Sequence, residues 1–273
     1  MALIGKKRRA VIVDGVRTPF IRSFGDLNRM DAIALGSTAV KGLLDKTSIS
    51  HREIQSVLWG GVVIPPYSVN VGREIVLELG LPPTIESTTM TRACTSSLYT
   101  ITQAVAAIER DEVDVVIAGG GDSTSNAVVT LPPSLMHKAA PVVMNRKSGP
   151  ADYLRLATHI NVKKDVIPRK PAVRERTTGE LMGESAEKMA ERNGITREAQ
   201  DAFASQSHRR AAEAIASGRF ADEIVGVETP TGKRVLAASL TRIPSSMTKR
   251  AAGSGTSSGA SGSWVFHHKS LWH

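Results

Sequence analysis

The chain has 273 residues, with 35 lysines and arginines against 26 aspartates and glutamates, and a formal net charge of +9. That length supports one large or two modest domains with a real core. The single cysteine, Cys94, excludes an intrachain disulfide and any cysteine-based zinc site, and no run of about 18 apolar residues is present to span a membrane.

Lys6, Lys7, Arg8 and Arg9 make the start basic, but the apolar run at residues 10–13 is too short for a signal peptide and reads as a strand. The cytoplasm is therefore the expected location. Residues 32–44 place Ile33, Leu35, Ala39, Leu43 and Leu44 at the spacing of an amphipathic helix. A strand is expected at 54–59, a helix at 71–79, a β-branched strand at 85–90, a helix at 96–108 and a strand at 113–118. Strands and helices alternating at these lengths predict an α/β fold. Its sheet is mostly parallel, with right-handed crossovers and helices on both faces. Ligands of such sheets bind beyond the carboxyl ends of the strands, which is where Cys94 falls.

Cys94 stands where the strand at 85–90 gives way to a helix. Helix N-termini carry partial positive charge and unpaired N–H groups, which favour a thiolate over a thiol. Lone cysteines are also common as inert core residues, and on chemistry alone the two readings carry equal weight. From Thr95 the helix has no charge until Glu109, and Leu98, Ile101, Val105 and Ile108 recur at helical spacing. A helix apolar all round is expected to be buried centrally. Ala93, Thr95, Ser96 and Ser97 are small, so backbone and substrate can approach Sγ closely.

Gly119-Gly120-Gly121 is not a dinucleotide fingerprint, because Thr124 stands where the third glycine is required; it reads as a tight turn leaving a buried strand. Residues 126–180 are rich in proline and basic residues and lack clear periodicity. Between Lys138 and Arg176, the basic residues Lys138, Arg146, Lys147, Arg155, Lys163, Lys164, Arg169, Lys170, Arg174 and Arg176 face only Asp152, Asp165 and Glu175. Three readings follow: a solvated irregular lid, attraction of a phosphorylated ligand, or association with acidic lipid or nucleic acid. Only Tyr153 lies among these residues, which argues against base stacking.

Helices are expected at 183–193 and 197–217, the second with Thr196 as N-cap and Gly218 as C-cap. Of the histidines (His51, His137, His159, His208, His267, His268 and His273), His208 is expected at the surface. Those of the tail have no nearby carboxylate or cysteine to share a metal, so no metal site is expected. From Val235 to His273 there is no acidic residue, and residues 253–263 have a linker-like Gly/Ser composition, with Trp264 and Trp272 beyond.

The run Thr91-Arg92-Ala93-Cys94-Thr95-Ser96-Ser97-Leu98 resembles the active-site cysteine signature of thiolases, which typically reads N-R-A-C-A-S-G-L before a buried helix. Thr95 and Ser97 are larger and more polar than the pattern. Three more blocks agree in order: residues 13–20, residues 113–123, and residues 182–225 with Met182-Gly183-Glu184 and the stretch Arg197 to Ala204. The resemblance runs from about Arg9 to Val227. It implies a thiolase-like first half with a partly helical lid, organised as residues 1–122, 123–233 and an unordered or aberrant tail at 234–273.

The same resemblance implies an acyl-CoA acyltransferase of fatty-acid metabolism (β-oxidation). Cys94 would be the catalytic nucleophile and Met182 would border the acyl pocket. Coenzyme A is the implied substrate rather than a permanent cofactor, with its phosphates drawn to the basic lid. A homo-oligomer and a hydratase/dehydrogenase partner subunit are implied as partners, with no nucleic acid. Thiolases carry Asn/His-Glu-Ala-Phe, Gly-His-Pro and Cys-x-Gly-Gly-Gly in a second half, and nothing in this sequence resembles them. The tail therefore reads as a frameshift, a premature stop or a recombined end. The alternatives are a truncated non-catalytic remnant and a CoA-binding or oligomerising half of a split enzyme. A ketoacyl synthase is disfavoured by Met182-Gly183 and the Arg197–Asp201 block. Standing alone, such a half is expected to expose a sheet edge and an apolar helix face.

Overall fold

The computed structural model describes residues 8–168, 174–236 and 262–268. The chain forms two compact units, one of Met1–Asn126 with Glu198–His273 and one of Ala127–Arg197. The sequence boundaries at 122 and 233 thus divide the chain differently, because the stretch after residue 197 belongs with the first unit. Among the described residues no helix is long and apolar enough to cross a membrane.

The first unit alternates β1 (Ala10–Arg17), α1 (Ala32–Thr47), β2 (Ser56–Gly60), α2 (Val71–Glu78), β3 (Glu86–Met90), α3 (Ser96–Glu109) and β4 (Val115–Gly120). β2 pairs in parallel with both β3 and β4, so that Gly60 lies opposite Met90 on one side and Gly120 on the other. Side chains alternate across the sheet. Val57, Trp59, Val115 and Ile117 pack with Val40 and Leu43 of α1 and Ile75 and Val76 of α2. Leu58, Val116 and Ala118 pack with Ala104 and Ile108 of α3. The expected α/β fold with helices on both faces is what the chain adopts.

The helix ends follow from local chemistry. The Asp31 carboxylate accepts the Ala34 N–H at 2.8 Å to cap α1, and Asn70 accepts the Arg73 N–H at 3.1 Å to cap α2. α1 closes on Ser48, which sits in the left-handed region at φ 53°.

The second unit contains α4 (Pro133–Val143), α5 (Pro150–His159), a π-turn at Val162–Val166 and α6 (Met182–Arg192). α4 and α5 fall where the sequence reading finds no periodicity. Both begin with proline, which is favourable at the first helical position although it breaks a helix further in. Asp165 is buried and accepts from Lys138 Nζ and from the Asn161 N–H, each at 2.7 Å. The Lys138 ammonium, then Ser134 and the Asn161 amide, hold its carboxyl down at about 2.

α7 (Arg197–Ala216) ends at Gly218, whose φ of 71° lets the Arg219 N–H reach back to Ala214 O at 3.0 Å, the C-cap that Gly218 predicts. The chain then returns to β1: the Arg17 N–H donates to Glu223 O at 2.8 Å and the Val225 N–H to Arg17 O at 2.9 Å. The hairpin of β5 (Val227–Glu228) and β6 (Arg234–Val235) buries Val227 and Val235 against Ile21, Leu27, Met30 and Leu35.

Within the tail, residues 262–268 form β7 (Gly262–His268). It lies between β1 and β4, antiparallel to both, giving the order β1-β7-β4-β2-β3. A reading by composition weighs the Gly/Ser run and overlooks the strand-forming Trp264-Val265-Phe266 that follows it. Residues 253–261, Trp272 and His273 lie outside the described residues, as do Arg169, Lys170 and the residues before Arg8.

The expectation that α3 is buried all round is corrected. Ser96, Thr100, Ala104 and Ile108 face the sheet, whereas Leu98 is 61% exposed. Uniform apolarity identifies a helix that can be covered on every side, but only the sheet covers it here. Ile12 and Val13 on the edge strand β1 are exposed as well.

Candidate active site

The site is the connection from the carboxyl end of β3 to the start of α3. β3 delivers the chain beside β2, where the Gly61 N–H donates to Met90 O at 3.1 Å. Residues 91–95, Cys94 among them, are exposed, and Ser96 is the first buried residue after the turn. Ala93 takes the left-handed conformation at φ 47°. The Ser96 hydroxyl closes the turn: Oγ accepts the Arg92 N–H at 2.8 Å and donates to Ala93 O at 2.7 Å. Thr95 Oγ1 adds a bond to Arg92 O at 2.9 Å. Thr95 occupies the cap position of α3 without making a side-chain cap, unlike Asp31 and Asn70 on α1 and α2. The first-turn amides of α3 are thus not occupied by a capping side chain.

Two contacts seat α3 on the strand ends. Thr100 Oγ1 lies 2.7 Å from Ser97 O and 3.0 Å from Gly119 O at the end of β4. The backbone of β2 at Gly60 passes so close to Ser96 that a Cβ there would fall 2.6 Å from the Ser96 carbonyl carbon. The Arg92 guanidinium stacks over the Tyr99 ring, 4.9 Å from its centroid, at the rim of the turn. After β4, Asp122 Oδ1 accepts the N–H groups of Val62 and Val63 at 2.8 and 2.7 Å, tying down the loop that leaves β2.

Cys94 therefore lies where the sequence places it, exposed at the carboxyl edge of parallel strands. An exposed thiol flanked by small residues, two residues before the start of a helix whose cap position makes no side-chain cap, can attack an electrophile brought to it. Met182 opens α6 in the second unit and is 60% exposed. His51, His137, His159 and His208 are exposed; the ring of His159 turns back on its own helix, with Nδ1 2.7 Å from Arg155 O. His267 and His268 belong to β7. Among the described residues no cluster of three or more histidines, cysteines or carboxylates could hold a metal ion. In the second unit the opposing acids are engaged locally, Asp152 with the Gly149 N–H, Asp165 with Lys138, and Glu175 with Thr177. The sequence reading names Ala93 and Ser96 as small neighbours of the thiol but misses the bonds by which Ser96 closes the turn and the left-handed conformation of Ala93. The only sign in the sequence is that both residues are small.

The sequence profile of the family described as thiolase, N-terminal domain, matches residues 10–248. A 3-ketoacyl-CoA thiolase of Aliivibrio fischeri is 39% identical over 218 residues, which is 80% of this chain and 48% of that protein. One from Escherichia coli O157:H7 is 36% identical over 231 residues, 84% of this chain and 52% of that protein. The chain thus spans about half the length of the curated relatives it matches. Among solved structures, a Bacillus anthracis acetyl-CoA acetyltransferase superposes with a TM-score of 0.79 at 24% identity, over 96% of this chain and 66% of that one. A human mitochondrial 3-ketoacyl-CoA thiolase in complex with CoA gives 0.77 at 21% identity, over 96% and 65%. At those identities the two structures speak for the fold.

Proposed function

Since this chain belongs to the thiolase family, we propose that it serves in acyl transfer between CoA thioesters, with Cys94 as the nucleophile. The observation that carries this reading is the position of Cys94. It is exposed on the turn between β3 and α3, within the stretch that resembles the family's cysteine signature. In the degradative direction the Cys94 sulfur bonds to C3 of a 3-ketoacyl-CoA. The C2–C3 bond then breaks, and its electron pair leaves on C2, which takes a proton to become acetyl-CoA. The thiol of a second CoA next displaces Cys94 from the acyl group, and the shortened acyl-CoA departs. Run backwards, the cycle is a Claisen condensation. Backbone N–H groups of the uncapped first turn of α3 are suited to hold the oxyanion of each addition.

In this reading the basic second unit attracts the phosphates of CoA, and Met182 borders the acyl chain. The protein acts in fatty-acid metabolism in the cytoplasm, as a homo-oligomer with a hydratase/dehydrogenase partner. A second reading, a CoA-binding or oligomerising half without turnover of its own, is favoured by the outward face of α3, where Leu98 stands exposed. Iodoacetamide labelling separates the two readings. A nucleophilic Cys94 alkylates faster than a free cysteine and is protected by acetyl-CoA. A Cys94 that reacts like free cysteine and is unprotected removes the enzyme reading of this chain.

A further inference from the structure

We propose that Ser96 is a positioning residue for Cys94: its hydroxyl holds the Arg92–Ser96 turn in the one shape that aims the thiol at a docked acyl group. The inference rests on Cys94 being the nucleophile. Residues 91–95 are all exposed, so packing does not hold Cys94 in place. The turn's attachment to the interior runs through Ser96, which is 3% exposed and pressed against β2 at Gly60. From that fixed point Oγ accepts the Arg92 N–H and donates to Ala93 O, linking the Thr91–Arg92 peptide to the Ala93–Cys94 peptide. Ala93 needs such a hold. At φ 47° its Cβ crowds the following carbonyl, and an alanine left to itself returns to the right-handed or extended region. That return would rotate the Ala93–Cys94 peptide and swing Sγ off its line of approach. The cap position is held by Thr95, which makes no side-chain cap; Thr95 Oγ1 and the backbone N–H groups of Thr95 and Ser96 bond to Arg92 O and Ala93 O, and Ser96 Oγ adds the bond that takes the Arg92 N–H.

The consequence is specific to a reaction that needs alignment. A thioester anchored by its CoA portion has one approach to Cys94, whereas a small diffusing reagent has many. The test uses the full chain, acetyl-CoA as acyl donor with mass spectrometry of acetylated Cys94, iodoacetamide as the unanchored reagent, and thermal unfolding in parallel. Ser96→Ala is expected to slow acetylation at saturating acetyl-CoA about tenfold or more, while the half-saturating concentration stays within about twofold and alkylation by iodoacetamide within about threefold. Adding Ala93→Gly to Ser96→Ala should restore acetylation to within about threefold of the wild type, because glycine holds φ > 0 without help. A Ser96→Ala protein that acetylates at the wild-type rate overturns the inference. So does a parallel fall in acetylation, alkylation and melting temperature that glycine at 93 does not relieve, since that is the pattern of a purely structural serine. A wild-type chain that takes up no acetyl group overturns the nucleophile reading itself, and this inference with it.

Discussion

Gly60 and Gly120 lie opposite one another on β2 and β4, so close that a Cβ on Gly120 would stand 2.3 Å from Gly60 O and 2.3 Å from Ser97 Oγ. Gly60 O is strand backbone and cannot turn aside, whereas Ser97 Oγ is the tip of a short side chain on the first turn of α3, so the clash that must be relieved is the one with β2. The absence of side chains at these two positions lets the helix that follows Cys94 sit directly on the strand ends.

Gly120→Ala is therefore expected to force β2 and β4 apart and to destabilise the first unit by about 1 to 3 kcal/mol. Chemical denaturation measures this. Gly80→Ala gives a contrasting control, since nothing lies within 4 Å of its added Cβ and only its φ of 61° opposes the change. A Gly120→Ala protein as stable as the wild type would contradict the close approach.

Arg17 is held from three sides. Its guanidinium lies 5.1 Å from the ring centroids of both Phe20 and Phe220, and Nε donates to Glu223 at 2.9 Å. Lysine lacks the plane that stacks and the fork that pairs, so Arg17→Lys should cost about 1 to 2 kcal/mol despite keeping the charge. Hydrogen exchange should quicken first at Val225, whose N–H donates to Arg17 O at 2.9 Å.

Asp165 makes the second unit sensitive to acid. Its native value is pulled from 3.8 to about 2, chiefly by Lys138. A depressed carboxylate contributes stability above its unfolded value, and that contribution is lost as pH falls through the folded one. Exchange protection of α4 and α5 should therefore decline between about pH 4 and pH 2. Asp165→Asn should lower protection at pH 7 and remove this acid step.

Ser48 ends α1 in the left-handed region at φ 53° and is exposed. Glycine reaches that region without the Cβ penalty, so Ser48→Gly is expected to stabilise by about 0.5 kcal/mol. A thermal melt reads this directly. A loss of stability would mean that the Ser48 side chain makes a favourable contact.

Local periodicity made much of the first unit legible. The strand at 54–59, the helix at 71–79 and the helix at 96–108 each match an observed element to within two residues at either end. The site was legible in outline, because a strand, a cysteine flanked by small residues and an apolar helix follow one another directly. α4 and α5 were not, since Pro133, Pro141 and Pro150 read as breakers until their places in the helices are known. The division of the chain at Arg197 was hidden for another reason: α7 has no strong apolar face of its own to show which body it joins.

The sequence by itself determined the alternation of strands and helices, the position of Cys94 past a strand's carboxyl end, and the membership of the chain in its family. Each of these is written in neighbouring residues. Tertiary structure alone decided that residues 262–268 enter the sheet between β1 and β4, that α3 is covered on one side only, and that Ser96 fastens a left-handed Ala93. The physical reason is common to all three. Strand pairing across the length of the chain, the coverage of a helix face, and the hold on a strained turn depend on which distant backbones approach, and no local pattern of side chains records that approach.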